Sequence, residues 1–434
     1  MKASILTIGN ELLDGRIVDT NSTYIERELL GAGVITAAKL AVRDGIPEIK
    51  EALAFLAERS EVLVITGGLG PTVDDLTREA VAEFLGRKIG FDEQVYEQVK
   101  VFFTRIGRTP PEGNRRQAFV IEGSEVLKNP KGTAPGFYID TTWNGRPLRI
   151  ASFPGVPSEL KGMLGFLTGK LRAEQSVPEW GPTVYARTMG LPEGLLNDKV
   201  KEILPPGVGF GTIAMMGLVD LRFDFADLSV APETAHAAIR ELMEASPFIR
   251  RKVYSYDPDI TLARAVVDGM RAQGKTLVTA ESCTGGMIAA AVTDIAGSSE
   301  VYYGGVNVYS DMLKEKLLGV PGETIKEYGA VSFETAFAML EGLKKISDSD
   351  YRIAVTGIAG PSGGSEAKPV GTVYIGFGDR NGGFVMRFLF PGDRPWIRTN
   401  SVSKSLEIVY DALTYGRADI ERFGAKEVRA SNGG

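Results

Sequence analysis

The sequence predicts an α/β protein built from more than one domain, on three observations. Short β-branched runs alternate with amphipathic segments over about the first 170 residues, and the same rhythm returns from Asp257. Most of the clearest strand candidates end in glycine-bearing turns, the place where open α/β sheets bind their ligands. At 434 residues the chain exceeds what a single growing core accommodates. Three domains are expected, with boundaries at 1–172, 173–256 and 257–424, the middle one a small α+β connector.

In the first domain, Ala3 to Ile8, Glu61 to Thr66 and Leu148 to Ser152 read as buried strands of a largely parallel sheet. Their turns are Gly9-Asn-Glu11, Gly67-Gly-Leu-Gly-Pro71 and Phe153-Pro-Gly-Val-Pro157, three loops expected to line one crevice. A helix over Leu76 to Leu85 follows the second loop. The connector reads as strand Val184 to Met189, helix Leu195 to Ile203, strand Val219 to Phe225 and helix Pro232 to Glu244, which opens on a proline at a tolerated position. It contains no catalytic cluster.

In the third domain the order is helix Thr261 to Gln273, strand Lys275 to Ala280, helix Gly285 to Asp294, strand Val301 to Tyr309 and helix Asp311 to Leu318. Then come helix Glu334 to Ile346, strands Arg352 to Thr356, Thr372 to Phe377 and Phe384 to Phe390, and a last helix from Trp396 to Tyr415. In that helix Ile397, Val402, Leu406, Val409 and Leu413 share one apolar face. The small polar tail from Ala425 to Gly434 is expected to be disordered.

Composition narrows the function. A net charge of −6 gives no electrostatic case for a nucleic-acid surface, and a single cysteine excludes an intramolecular disulfide framework and a cysteine-cluster zinc site. No apolar run approaches the roughly 18 residues a membrane span requires. The N-terminal apolar segment is too short for a signal peptide, so the expected location is cytoplasmic. Small molecules are the expected partners, with neither nucleic acid nor membrane, and a homodimer is the default assembly.

The strongest chemical signal is Thr279-Ala-Glu-Ser-Cys-Thr-Gly-Gly286, in a chain whose only histidine is His236. Ser282 and Cys283 fall at a sharp strand-to-helix turn, which suits a nucleophile beside outward backbone N–H groups. Without a histidine near in sequence, the base is expected to be a lysine or a carboxylate. Lys275, Lys314 and Lys368 are all open to that role. Cys283 is the rival nucleophile, but it needs a lowered pKa that nothing in its sequence neighbourhood supplies. The bland alternatives make Ser282 a helix cap, Lys314 a solvated lysine and His236 a surface or structural residue.

A second signal is Thr66-Gly-Gly-Leu-Gly-Pro-Thr-Val-Asp-Asp75, where glycines bring backbone N–H groups to an anion ahead of a helix. One of Asp74 and Asp75 suffices as a helix cap, and two exceed that need. With Glu11, Asp14, Asp19 and Asn21 on the first loop, a hard divalent cation bridging phosphates is the functional alternative to ordinary caps and solvated acids.

Gly9-Asn-Glu-Leu-Leu-Asp-Gly15, Asp19-Thr-Asn21, the stretch from Thr66 to Arg78, Gly132-Thr-Ala-Pro-Gly136 and Phe153 to Pro157 resemble the N-terminal half of the CinA (competence/damage-inducible protein A) family, itself similar to molybdopterin-binding domains. The resemblance implies metal-dependent hydrolysis of ADP-ribose to AMP and ribose 5-phosphate. It further implies that Asn10, Gly67, Gly68, Gly70, Asp75 and Gly155 contact the nucleotide. Glu11, Asp19 and Asp74 are the metal-ligand candidates, for magnesium, manganese or cobalt, with potassium a further candidate. Which carboxylate binds metal and which orients water stays open.

About 160 C-terminal residues are similar to the same family's amidase domain. The similarity runs through Thr279 to Gly286, Asp294 to Ser299, Tyr309-Ser310 with Lys314, Gly329 to Ser332, Thr356-Gly-Ile-Ala-Gly-Pro361, Gly363 to Glu366, Lys368 to Thr372 and Phe390-Pro-Gly-Asp-Arg394. The activity implied is deamidation of nicotinamide mononucleotide to nicotinate mononucleotide and ammonia, a step of pyridine-nucleotide salvage and NAD recycling, with no cofactor. Ser282 is then the nucleophile and Lys314 the base. Since free lysine has a pKa of about 10.4, Lys314 must be desolvated or lie near another cation to accept a proton. N–H groups near Cys283 and Thr284, at the helix start, are expected to stabilise the oxyanion by roughly 3 to 4 kcal/mol per donor. Gly285, Thr356, Gly357 and Gly360 complete the implied pocket, with Tyr309 against the base and Arg394 as a phosphate clamp. The alternative function keeps only the amidase, leaving the N-terminal domain a non-catalytic nucleotide or molybdopterin-like binding module. The connector departs most from the family pattern, at Gly190-Leu-Pro-Glu-Gly-Leu-Leu196.

Overall fold

The computed structural model describes residues 1–174, 181–215, 217–227 and 229–430. The chain divides into two compact units, Met1–Glu179 and Trp180–Gly434. The helix Pro157–Glu174 runs past the expected boundary at residue 172, and the connector shares the second unit with the C-terminal domain. Among the described residues no helix is long and apolar enough to cross a membrane.

The first unit holds a six-stranded sheet in the order Ile35–Val42, Lys2–Ile8, Val62–Thr66, Arg146–Phe153, Gly136–Trp143, Glu125–Leu127. The first four strands are mutually parallel and the last two antiparallel, so the sheet is less parallel than its rhythm suggests. Val62–Thr66 is buried along its whole length, as a central strand covered on both faces should be. Separate apolar clusters line the two faces: Leu6, Leu53, Leu63 and Ile65 on one, Ile5, Ile25, Val64 and Leu167 on the other. The carboxyl ends of the parallel strands deliver the Gly9, Gly67 and Pro154 turns to one edge of the sheet.

In the second unit the connector is an antiparallel four-stranded sheet, Val208–Met215, Leu218–Phe225, Thr183–Met189, Val253–Ser255, with helices Glu193–Lys201 and Pro232–Ala245. Two of these strands, Val208–Met215 and Val253–Ser255, have no counterpart in the sequence reading. Val208–Met215 is an edge strand, interrupted by Gly209 and Gly211 and mostly solvent-facing at its far end, so it carries no clean alternation. His236 lies exposed on Pro232–Ala245.

The C-terminal sheet runs Tyr302–Asn307, Leu277–Glu281, Tyr351–Gly357, Thr372–Asp379, Gly382–Leu389, Glu427–Ala430. Its first three strands are parallel and the rest antiparallel. The tail expected to be disordered thus contributes an edge strand at Glu427–Ala430, paired with Gly382–Leu389, because a neighbouring strand satisfies backbone groups that its composition says nothing about. Residues 431–434 lie outside the described residues. The helix Arg394–Tyr415 packs against Leu262–Gln273, its apolar positions Ile397, Val402, Leu406, Val409 and Leu413 all in the core.

That long helix also anchors the connector. Glu407, on its buried side, accepts from Lys252 Nζ of the connector at 2.9 Å and from Lys404 Nζ one turn earlier. The two lysines hold its carboxyl below the usual range against the opposing effect of burial. Gly190 makes the close approach possible: its φ is +71°, and a Cβ there would stand 2.1 Å from Glu407 Oε1. Removing one member of a buried ion network strands the others, so Glu407→Gln is expected to destabilise the second unit by about 3–5 kcal/mol, read from urea unfolding. The penalty should shrink as pH falls through the depressed folded-state value, where wild-type Glu407 also loses its charge.

Candidate functional sites

Each unit carries one candidate site, in both cases beyond the carboxyl ends of parallel strands. In the first unit a crevice of ≈ 550 Å³ is lined by all three predicted loops, including Glu11, Asp19, Asn21, Gly67, Gly68, Gly70, Asp74, Asp75 and Gly155. Gly67 has φ +105° and its Cβ position lies 2.1 Å from the backbone oxygen of Ile8, so only glycine allows the loop to fold back over the first strand. Asn21 ties the loops together, donating to Thr66 Oγ1 at 3.1 Å and Gly155 O at 2.7 Å. Arg78, buried beneath the glycine loop, donates to Leu69 O at 3.1 and 3.2 Å, and burial lowers its pKa.

Not every predicted residue faces this crevice. Asn10 does not line it; its N–H donates to Asp44 at 2.8 Å and its amide oxygen accepts from Arg43. Asp14 pairs with Arg43 at 2.9 Å. Asp74 and Asp75 are not helix caps: the helix Thr77–Leu85 has Leu76 at its N-cap with no side-chain cap, and Asp75 instead accepts from Thr72 N and Oγ1. A hydrogen bond from Thr72 is also the largest cause holding Asp74 below the usual carboxylate range. Asp19 caps the helix Thr20–Gly31 through Ser22 N at 2.9 Å, using one oxygen.

Thr133 and Ala134, from the Gly132–Gly136 stretch that the family resemblance places at the pocket, line the crevice, and so do Asp44, Gln117 and Glu159, which the sequence reading missed. Asp44 is the most telling. Burial raises its pKa, and the charges of Glu11, Asp74 and Asp75 raise it further. That mutual pressure marks a concentration of negative charge facing one space, the surroundings a divalent cation relieves. Among the described residues, however, no three acidic, histidine or cysteine side chains converge closely enough to hold an ion. The donor set fits an ion of the magnesium type, which keeps several waters and takes one or two carboxylates plus substrate phosphate, and does not fit an all-protein cage.

In the second unit the parallel strands Tyr302–Asn307, Leu277–Glu281 and Tyr351–Gly357 end side by side. They place Tyr309, Ser282 and Gly357 at the same end of the sheet. Ser282 N donates to Val355 O at 3.0 Å, and Val308 N donates to Glu281 O at 2.8 Å. The helix after Ser282 begins at Met287, later than predicted, so Cys283 and Thr284 sit in the preceding turn and not at the helix start. Glu281, fully enclosed, accepts from Gly286 N, Ile288 N and Ala289 N, which fastens this turn to the strand.

Ser282 is 6% exposed, and its hydroxyl makes no hydrogen bond to the protein among the described residues. Cys283 is sealed, and burial pushes its thiol up to about 12, leaving almost no thiolate at neutral pH. Gly357 is confined here, since a Cβ would lie 2.8 Å from Val373 and 3.1 Å from Cys283 Sγ. Thr356 is turned away, donating from Oγ1 to Ala330 O at 2.7 Å.

Geometry separates the three lysines. Lys275 pairs with Asp350 at 3.2 Å at the opposite end of its strand, and Lys368 donates to Tyr328 O and Val331 O, both at 2.7 Å. Lys314, on the helix Asp311–Leu318, is 1% exposed. Burial lowers its pKa, against smaller raising effects from Asp311, Cys283 and Tyr309. Its Nζ lies 3.4 Å from Tyr309 O and 3.6 Å from Asp311 Oδ1. Among the described residues no hydrogen bond joins it to Ser282.

Arg394, the first residue of the last helix, donates to Gly360 O at 2.9 Å and to the Tyr309 hydroxyl at 3.1 Å, bringing three predicted residues together. Arg398, one turn on and absent from the sequence reading, reaches back to the serine turn. Its Nε donates to Cys283 O at 3.0 Å and its Nη2 to Thr284 O at 2.8 Å.

Comparison with known proteins covers both units. The family described as CinA C-terminal domain matches residues 259–413, and the one described as a probable molybdopterin binding domain matches residues 4–173. A putative competence-damage inducible protein of Desulforudis audaxviator is 37% identical over 421 residues, 95% of this chain and 99% of its own. A CinA-like protein of Synechocystis sp. is 38% identical over 423 residues, 94% of this chain and 98% of its own. A crystal structure of a competence/damage inducible protein from Agrobacterium tumefaciens is 43% identical, covers 34% of this chain and 90% of its own, and has a TM-score of 0.33.

Proposed function

The chain belongs to the CinA family, and from that premise we propose that it is a two-activity hydrolase of pyridine nucleotides. The C-terminal domain deamidates nicotinamide mononucleotide; the N-terminal domain hydrolyses ADP-ribose with a divalent metal. The observation that carries the first reading is Lys314, a lysine sealed from water with its pKa pushed down by that burial, at the strand ends that also hold Ser282.

In the proposed reaction, neutral Lys314 takes the Ser282 proton as Oγ bonds to the carboxamide carbon, and the carbonyl electron pair moves onto oxygen. Collapse of the tetrahedral adduct breaks the C–N bond while the Lys314 ammonium returns its proton to the departing nitrogen, releasing ammonia. Water then attacks the acyl ester with Lys314 again as base, giving the acid and restoring Ser282. Cys283 takes no part, because its thiol stays protonated at neutral pH.

In the N-terminal crevice, Gly67, Gly68 and Gly70 allow backbone N–H groups to approach the pyrophosphate closely, and Asn21 keeps the flanking loops in register. Glu11, Asp19 and Asp74 would hold the metal, which when bound neutralises phosphate charge and acidifies a coordinated water. A second reading, in which this domain binds a nucleotide without cleaving it, is favoured by the lack of three converging ligands among the described residues. Metal-dependent AMP formation from ADP-ribose decides between them: its appearance supports hydrolysis, and binding without product supports the module.

Arg394 supports a phosphate clamp by its place at the helix start and its grip on Gly360 and Tyr309, which leaves further N–H donors for a phosphate. Arg394→Ala is expected to raise the KM for nicotinamide mononucleotide by about tenfold or more, the loss of a charge-assisted contact worth roughly 1.5–3 kcal/mol, with a smaller effect on kcat. An unchanged KM would remove Arg394 from this role.

A further inference from the structure

The turn that carries Ser282 allows a nearly complete account of its backbone donors. Gly285 N donates to Ser282 O at 3.1 Å, Met287 N to Thr284 O at 3.3 Å and Ala290 N to Gly286 O at 2.9 Å. Gly286, Ile288 and Ala289 give theirs to the Glu281 carboxylate at 3.0, 3.0 and 2.8 Å. Within this run the N–H groups of Cys283 and Thr284 have no oxygen acceptor among the described residues and lie against the uncharged Cys283 sulfur.

The carbonyls of these peptides are held from the other side. Arg398 grips Cys283 O and Thr284 O together, and its guanidinium has no carboxylate partner among the described residues. The approach is close: a Cβ on Gly285 would meet Arg398 Nη2 at 3.3 Å. In a trans peptide the N–H points opposite to the C=O, so fixing Cys283 O toward Arg398 turns the Thr284 N–H away from it. A cation on the carbonyl also polarises the peptide and strengthens its N–H as a donor.

We propose that Arg398 is the positioning residue of the oxyanion hole: from behind the serine turn it orients and polarises the peptide whose N–H receives the negative oxygen formed when Ser282 attacks the carboxamide. Arg398 touches neither substrate nor the reacting atoms. The inference rests on the deamidation reading, and the two can fail separately.

The test compares wild type, Arg398→Ala and Arg398→Lys, with kcat and KM for ammonia release from nicotinamide mononucleotide measured separately, with and without guanidinium chloride at a sub-denaturing concentration. Loss of an oriented oxyanion donor predicts a kcat for Arg398→Ala lower by about 10²-fold with KM changed by less than about twofold. Added guanidinium should restore part of that rate and leave wild type unaccelerated. Arg398→Lys keeps the charge but loses the paired donors, so it should fall between the two and serve if the alanine variant does not fold. A kcat within about threefold of wild type in whichever variant folds, a loss confined to KM, or the absence of guanidinium rescue in a folded Arg398→Ala would overturn the assignment. Failure of the deamidation reading looks different: wild type itself would release no ammonia.

Discussion

Ser282→Ala is expected to lower ammonia release from nicotinamide mononucleotide by about 10⁴-fold or more while leaving metal-dependent AMP formation from ADP-ribose at the wild-type rate. The size follows from the hydroxyl's position. Among the described residues it makes no hydrogen bond to the protein, whereas the adjacent thiol is buried with a pKa of about 12. The selectivity follows from the division of the chain, since the crevice with Asp44, Asp74 and Asp75 lies wholly within the first unit. Assaying both substrates on the same preparation checks both halves. If Cys283 carried the chemistry, Ser282→Ala would keep most of its rate and Cys283→Ala would lose it.

Lys314→Met should separate catalysis from stability in opposite directions. Loss of a general base that acts in both half-reactions predicts a fall in kcat/KM of about 10³–10⁴-fold. Stability should rise. Burial holds the folded-state pKa of Lys314 below that of the unfolded chain, so between those values the unfolded chain binds more protons and wild-type stability climbs with pH. At every pH below the ordinary lysine value the residue therefore subtracts from stability. A methionine of similar length removes that cost, and a gain of about 1 kcal/mol corresponds to a midpoint higher by roughly 2–4 °C. Thermal unfolding of the second unit across pH reads the effect, and the gain should shrink toward alkaline pH. A variant that is inactive and also less stable would mean that Lys314 holds the site together and does not act as its base.

The parts of this molecule legible in the sequence are those set by local pattern. Val62–Thr66 and Leu277–Glu281 announce themselves as short β-branched runs, and the glycines after them mark where the backbone must turn back over the sheet. What escapes is set by pairing at a distance. Asp44 enters the crevice because Val42 stands beside Ile8 in a parallel ladder, which carries the following residues alongside Gly9 and Asn10. Arg398 lies 115 residues from Cys283, and nothing in its own helix distinguishes it from a solvated arginine. Asp19 and Asp75 illustrate the converse: acidic residues in a promising motif also accept from nearby backbone N–H groups, Asp19 as a helix cap and Asp75 within its own turn, and sequence alone does not divide the two uses. Glu427–Ala430 shows that an edge strand needs a willing neighbour more than a strong propensity.

In the proposed mechanism a desolvated lysine activates the serine without a metal. The most direct measurement is the pH dependence of kcat/KM for ammonia release from nicotinamide mononucleotide by the wild-type protein in excess chelator. Full activity under chelation is expected, with a rate that rises with pH and a midpoint clearly below the 10.4 or so of a free lysine amine. No ammonia without added metal, or a midpoint at the free-lysine value, would contradict it.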